Sequence, residues 1–312
     1  MVYIVYDPSY EKHYTGPWHP EQPARVSVIH QALEKAGIVG SKNTLKPRQA
    51  TEEDLLLCHT QSYIDLVKEE IQSIQHSMQT AFLSTGDAVI SKHSLEIALL
   101  AAGGVLTAID AVMKGPEKSA FCCVRPPGHH ACSAQGMGFC IFNNIAIGAR
   151  YAQKKYGISK VLIVDWDVHH GNGTQEIFYN DPTVFYFSTH EKGIYPYTGN
   201  VDEVGAGTIL NCPIIASPRA RFEVKEAFEG PLRERMESFK PELVLISAGF
   251  DAHKDDPLAN FNLEEADFVQ LTEYVKEIAT QYAQGRVISV LEGGYNLKAL
   301  ASSVLMHVTH LT

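Results

Sequence analysis

Long apolar stretches are missing from this chain: no run of about 18 apolar residues occurs, so a membrane-spanning helix is not expected. The apolar start after Met1 breaks at Asp7, too early for the core of a secretory leader, and no cleavage pattern follows. A cytoplasmic location is the expectation. Basic residues are in the minority: 26 Lys and Arg stand against 36 Asp and Glu, a net charge of −10 at pH 7. Phosphate affinity rests on clustered cations, so direct nucleic-acid binding is not expected either. The six cysteines (Cys58, Cys122, Cys123, Cys132, Cys140 and Cys212) form no CxxC, which argues for reduced thiols and against a disulfide framework. With no internal repeat, charge block or low-complexity linker, residues 1–312 read as one domain.

What is present is an alternation. SAFCCVR (119–125), KVLIVDWDV (160–168), TVFYFST (183–189), ELVLISAGF (242–250) and RVISVLEGG (286–294) are apolar nearly throughout, as parallel strands covered on both faces are. Helical patterns lie between and around them at 95–115, 143–157, 225–239 and 264–285, several ending in glycine. The order implies an α/β fold with a mostly parallel sheet between helical layers. Ligands in such sheets bind beyond the C-terminal strand ends.

The polar residues collect there. PPGHHA follows the first of these strands with His129 and His130; Asp165, Asp167 and His169 end the next; Asp251 ends SAGFD; Tyr295 follows LEGG. In an extended segment, residues two apart share a face, so Asp165, Asp167 and His169 point one way. Asp167 and His169 can share one cation, with Asp251 as third ligand from another strand. Three protein ligands and an open position is the pattern of catalytic zinc, and ligation makes buried carboxylates tolerable. Glycines at 128, 171, 173, 249, 293 and 294 flank these groups, where the backbone must turn or approach closely.

PPGHHA, GFCIFNNIAIGA, DWDVHHGNGTQ, SAGFDAH and LEGGYN, in this order from about residue 19 to 297, resemble the motifs of the zinc-dependent histone deacetylase and acetylpolyamine amidohydrolase superfamily, with DWDVHHGNGTQ similar to its class II branch. The resemblance implies the arginase–deacetylase fold, one parallel sheet of about eight strands flanked by helices. It implies Asp167, His169 and Asp251 as zinc ligands, His129 and His130 as the tandem catalytic histidines, Tyr295 as donor to the substrate carbonyl, and Asp165 as partner of His129. It further implies a structural potassium ion at Asp165, Ser188 and Thr189 with the backbone of Asp167 and His169. Gly138, Phe139 and Tyr195 would line an acyl-lysine tunnel, and Asp87 would grip the substrate backbone. Asn172 stands where class I relatives have an aspartate, leaving His130 without an anionic partner and lowering its basicity. Tyr195 replaces a more usual phenylalanine.

The implied reaction is hydrolysis of an acyl amide of a primary amine, with His130 as base and Tyr295 and zinc at the developing oxyanion. A two-metal ureohydrolase would need a D-x-H-x-D run, but Asp167-Val168-His169-His170 continues into Gly171. A catalytically dead acyl-lysine reader would have lost a ligand, a histidine or the tyrosine, and none is missing. The nearest rival is the same chemistry on acetylpolyamines. Leu258 stands where polyamine-selective class II relatives carry a glutamate for the remote ammonium, so acetyl-lysine in a protein or peptide is the expected substrate.

Overall fold

The computed structural model describes residues 1–74 and 79–312. Among these described residues, ten strands form in chain order: β1 (Tyr3–Val5), β2 (Thr44–Leu45), β3 (Ala81–Phe82), β4 (Val89–Ile90), β5 (Ser119–Cys122), β6 (Val161–Asp165), β7 (Val184–Glu191), β8 (Ile209–Ile214), β9 (Leu243–Ala248) and β10 (Val287–Leu291). Eight make one sheet in the order β2-β1-β5-β10-β9-β6-β7-β8, with every neighbouring pair parallel. β3 and β4 pair apart as an antiparallel hairpin.

All five strands expected from apolar runs are present. Four stop short of the apolar run; in β6, β9 and β10 the chain leaves the sheet where the site residues and glycines begin, whereas β7 continues to Glu191. Every residue of these five strands is buried, so both faces of the sheet are covered. Three strands of the sheet were not expected individually. β1 and β2 are only three and two residues long, and β8 is an edge strand with mixed burial and a proline, Pro213, which an edge tolerates.

Helices at Ser94–Lys114, Asn144–Tyr156 and Glu265–Tyr282 match the expected spans. The first is long and apolar enough to cross a membrane, an exception to the reading above, but 67% of its apolar window is buried inside the fold. The Asn143 side chain accepts the Ala146 N–H at 3.0 Å and starts the second, and Gly157 at φ 67° ends it. The helix expected at 225–239 is instead three segments: Ala220–Ala227, a π-helical turn at Phe228–Leu232 and Arg233–Phe239. Pro231 has no N–H to close the regular ladder there. Helices Ala24–Lys35, Gln61–Ser73 and Leu297–His310 complete the larger elements, and the first and last of these pack together.

The four central strands β5, β10, β9 and β6 are neighbours and run the same way. They are the strands whose ends carry His129 and His130, Tyr295, Asp251 and Asp167. Parallel pairing therefore delivers all of these to one edge of the sheet.

Candidate active site

The floor of the site is built where β6 and β9 leave the sheet side by side, with Asp165 in register with Ser247. Ligand atoms of Asp167, His169 and Asp251 lie within 4.8 Å of one another. His169 Nδ1 is 3.1 Å from Asp167 Oδ1 and 3.0 Å from Asp251 Oδ2. Main-chain donors fix the carboxylates: Gly293 N–H to Asp167 Oδ2 at 2.8 Å, His169 N–H to Asp167 Oδ1 at 2.9 Å, and Val168 N–H to Asp251 Oδ1 at 3.0 Å. Only glycine fits at 293, since a Cβ there would lie 2.2 Å from Asp251 Oδ2. Two carboxylates and an imidazole nitrogen converging in a buried pocket are a donor set that fits a divalent cation such as zinc. The metal-free charges agree. Burial, aided by Asp167, pushes the Asp251 carboxyl up, and burial holds Glu292 up at about 7. A bound cation relieves that crowding of buried acids.

The tandem histidines have contrasting surroundings although their ring centres are 4.0 Å apart. His129 Nδ1 is 3.0 Å from Asp165 Oδ2, which also accepts the Tyr186 hydroxyl at 3.0 Å. Burial opposes charge on His129, but Asp165 and Asp167 outweigh it and raise the metal-free imidazole to about 10. His130 Nδ1 is 2.8 Å from Asn172 Oδ1. The Asn172 amide nitrogen faces the Cys132 and Met137 sulfurs, both at 3.4 Å, which turns its oxygen to the ring. His130 therefore carries its proton on Nδ1 and keeps the Nε2 lone pair. Burial, with His129 and His169 close by, holds it well below the ordinary histidine value.

Above the floor is a cavity of about 290 Å³ lined by Asp87, His130, Gly138, Phe139, His169, Ile194, Tyr195, Leu258 and Tyr295. It brings together all five residues expected to bind substrate. Gly138 (φ 55°) and Phe139 (φ 68°) both adopt left-handed backbone. A Cβ on Gly138 would lie 2.2 Å from the His130 ring, so that loop can pass the histidine only as glycine. Tyr295 sits with its ring centre 6.0 Å from that of Phe139, edge to face, and its hydroxyl has no hydrogen-bond partner among the described residues. Burial keeps that hydroxyl protonated, well above the ordinary tyrosine range. Asp165 pairs in register with Ser188 on β7, next to Thr189, so these three are also gathered, although the Ser188 hydroxyl is engaged with His190 Nδ1 at 2.9 Å.

Several contributors escaped the sequence reading. Glu292 Oε2 accepts the main-chain N–H of Gly128 (2.7 Å) and His129 (3.2 Å), anchoring the histidine pair to β10. Asp256 Oδ2 accepts the Tyr295 N–H at 2.7 Å. Arg25 donates to the carbonyls of Gly294 (2.7 Å) and Glu292 (2.5 Å) and lies over the Tyr295 ring. His19 packs on Phe139, ring centres 4.6 Å apart. Glu292 lies inside LEGGYN itself and was the one within reach. Asp256 has an exposed acidic neighbour, Asp255, and nothing in the sequence separates the two.

Residues 19–311 match the family model described as histone deacetylase domain. Histone deacetylase 10, chloroplastic, of Oryza sativa subsp. japonica is 38% identical over 92% of this chain and 68% of its own length. Polyamine deacetylase HDAC10 of Homo sapiens is 39% identical over 93% of this chain, which spans only 44% of that protein. Among solved structures, one described as the HDA15 HD domain superposes with a TM-score of 0.91 at 33% identity, covering 99% of this chain and 89% of its own. The chain belongs to the histone deacetylase family and has the arginase–deacetylase fold. It is accordingly a metal-dependent hydrolase acting on acetyl-amide bonds.

Proposed function

We propose that the protein removes acetyl groups from lysine side chains of peptides or proteins, using one zinc ion held by Asp167, His169 and Asp251. The observation that carries this reading is a single cavity with a ligand-competent floor, a neutral histidine and a protonated tyrosine on its walls. When bound, zinc supplies Lewis acidity toward the substrate carbonyl and lowers the pKa of water from 15.7 to about 7. His130, with Nε2 free, takes a proton from the attacking water and returns it to the leaving amine. His129 contributes positive charge, oriented by Asp165. Tyr295 donates its hydroxyl hydrogen to the oxyanion, and the Asp256 and Arg25 contacts aim it. Phe139 and Tyr195 wall the acyl-lysine chain. Asp165, Ser188 and Thr189, with the main chain of Asp167 and His169, support a structural potassium ion on the β6–β7 side. The six unpaired cysteines support a reducing, cytoplasmic setting.

The second reading is an acetylpolyamine, favoured by the human relative's described substrate class. Leu258 speaks against it, because it lines the cavity with no charge to pair with a remote ammonium. The deciding experiment measures turnover by zinc-loaded protein of an acetyl-lysine peptide beside N-acetylspermidine, with a zinc-chelating hydroxamate as control. Hydroxamate-sensitive preference for the peptide is expected; preference for the polyamine would overturn the substrate reading.

A further inference from the structure

Asp87 stands in the turn between β3 and β4, exposed at the cavity mouth. An exposed aspartate ordinarily samples several rotamers, and a ligand that needs one of them must order it. Here one oxygen is held from two other loops. Asp87 Oδ1 accepts the Gly138 N–H at 2.7 Å and the Tyr195 hydroxyl at 3.2 Å, while Oδ2 takes no hydrogen bond among the described residues.

All three loops are themselves anchored. Thr85 O accepts from the Gln135 amide at 2.7 Å, joining the Asp87 and Gly138 loops. In the Tyr195 loop, Thr198 Oγ1 is 2.8 Å from His170 Nδ1, and Gly199 O is 2.9 Å from His190 Nε2. The tyrosine hydroxyl thus reaches from one fixed rim to a carboxylate on the other. A phenylalanine at 195 would provide the same wall and no such reach.

We propose that Tyr195 is a positioning residue for Asp87: its hydroxyl locks the carboxylate across the mouth, leaving Oδ2 to accept main-chain N–H groups of an extended peptide. The lock is what makes the mouth read peptide backbone in addition to the acetylated side chain. It rests on the peptide reading above and deepens it. A small acetylated amine can fill the cavity but brings no main-chain amide to Asp87, so it gains less from the lock.

Binding of a fluorescein-labelled acetyl-lysine peptide, followed by anisotropy in zinc-loaded Tyr295→Phe protein where turnover is slow, reads this without chemistry. Adding Tyr195→Phe is expected to raise the peptide Kd about fivefold, the loss of one hydrogen bond to a partly solvated carboxylate. The same change should weaken N-acetylputrescine, read by competition, by a smaller factor. Once Asp87→Ala is present, Tyr195→Phe should add nothing. The peptide KM of Tyr195→Phe in the otherwise unaltered enzyme gives the same comparison independently of the Tyr295 background, with the effect on KM rather than kcat. An unchanged peptide Kd and KM, equal weakening of both ligands, or additive effects of Tyr195→Phe and Asp87→Ala would each overturn the lock. If the unaltered enzyme prefers the polyamine, the peptide reading falls, a failure separate from one in which peptide is preferred and Tyr195→Phe is silent.

Discussion

The floor of the cavity and its mouth are built by opposite means. At the floor, Asp167 and Asp251 are wholly buried, and main-chain N–H groups from three residues hold their oxygens in place. The residues arrive on the ends of adjacent central strands. At the mouth, Asp87, Tyr195 and Leu258 come from three separate loops, are half-buried or exposed, and are joined by few bonds. A rigid, over-determined floor suits a reaction whose charges must be met in one geometry. A mouth made of loops can change its occupant without disturbing that chemistry. In the function proposed above, hydrolysis belongs to the floor and substrate choice to the mouth.

The largest effect should come from breaking the floor. His169→Ala removes the one imidazole of the proposed ligand set and is expected to abolish stoichiometric zinc binding and cut turnover by roughly a thousandfold or more; metal analysis alongside acetate release checks both. Next, Tyr295→Phe should keep zinc content and fold but lower kcat on the order of a hundredfold. Near-normal turnover would remove the tyrosine from the mechanism.

Support beneath the floor is tested by acid. Glu21 is buried between Arg125 (Nη2 to Oε2, 2.7 Å) and Arg25 (Nη1 to Oε1, 3.2 Å). Burial opposes its charge, yet the two guanidinium groups hold its pKa at about 2, below the ordinary 4.5. The folded value is the lower one, so this stabilisation is complete above about pH 4.5 and is lost as pH falls toward 2. Glu21→Gln should cost about 3 kcal/mol at neutral pH and flatten that part of the acid limb, as denaturant melts at several pH values would read. Equal pH slopes in variant and parent would contradict the assignment. The smallest effect is at the mouth. Leu258→Glu should improve kcat/KM for N-acetylspermidine about fivefold relative to peptide, the value of one partly solvated charge pair. No change in that ratio would remove position 258 from substrate selection.

The same contrast governs what was legible in the sequence. The floor could be read because a buried strand ending in Asp165, Asp167 and His169 is anomalous unless it serves a cation, and strand order then brings Asp251 alongside. The central strands were legible as apolar runs, whereas β1, β2 and β8 were too short or too mixed in burial to stand out. Leu258, Tyr195 and Asp87 could be named only through the family resemblance. The hydrogen bond between Tyr195 and Asp87 joins residues 108 apart in sequence through loop geometry, which no local pattern encodes. Arg25 was hidden similarly, for its partners Glu292 and Gly294 lie at the other end of the chain. Pro231 signalled a break in its helix, but the sequence did not reveal that a π-turn would bridge it.

Metal titration tests the central claim most directly. Metal-free protein loaded stepwise with zinc should release acetate from an acetyl-lysine peptide in proportion to the zinc added, reaching a plateau at one ion per chain. Full activity without metal, or a plateau only at two ions, would contradict a floor made of Asp167, His169 and Asp251 around a single cation.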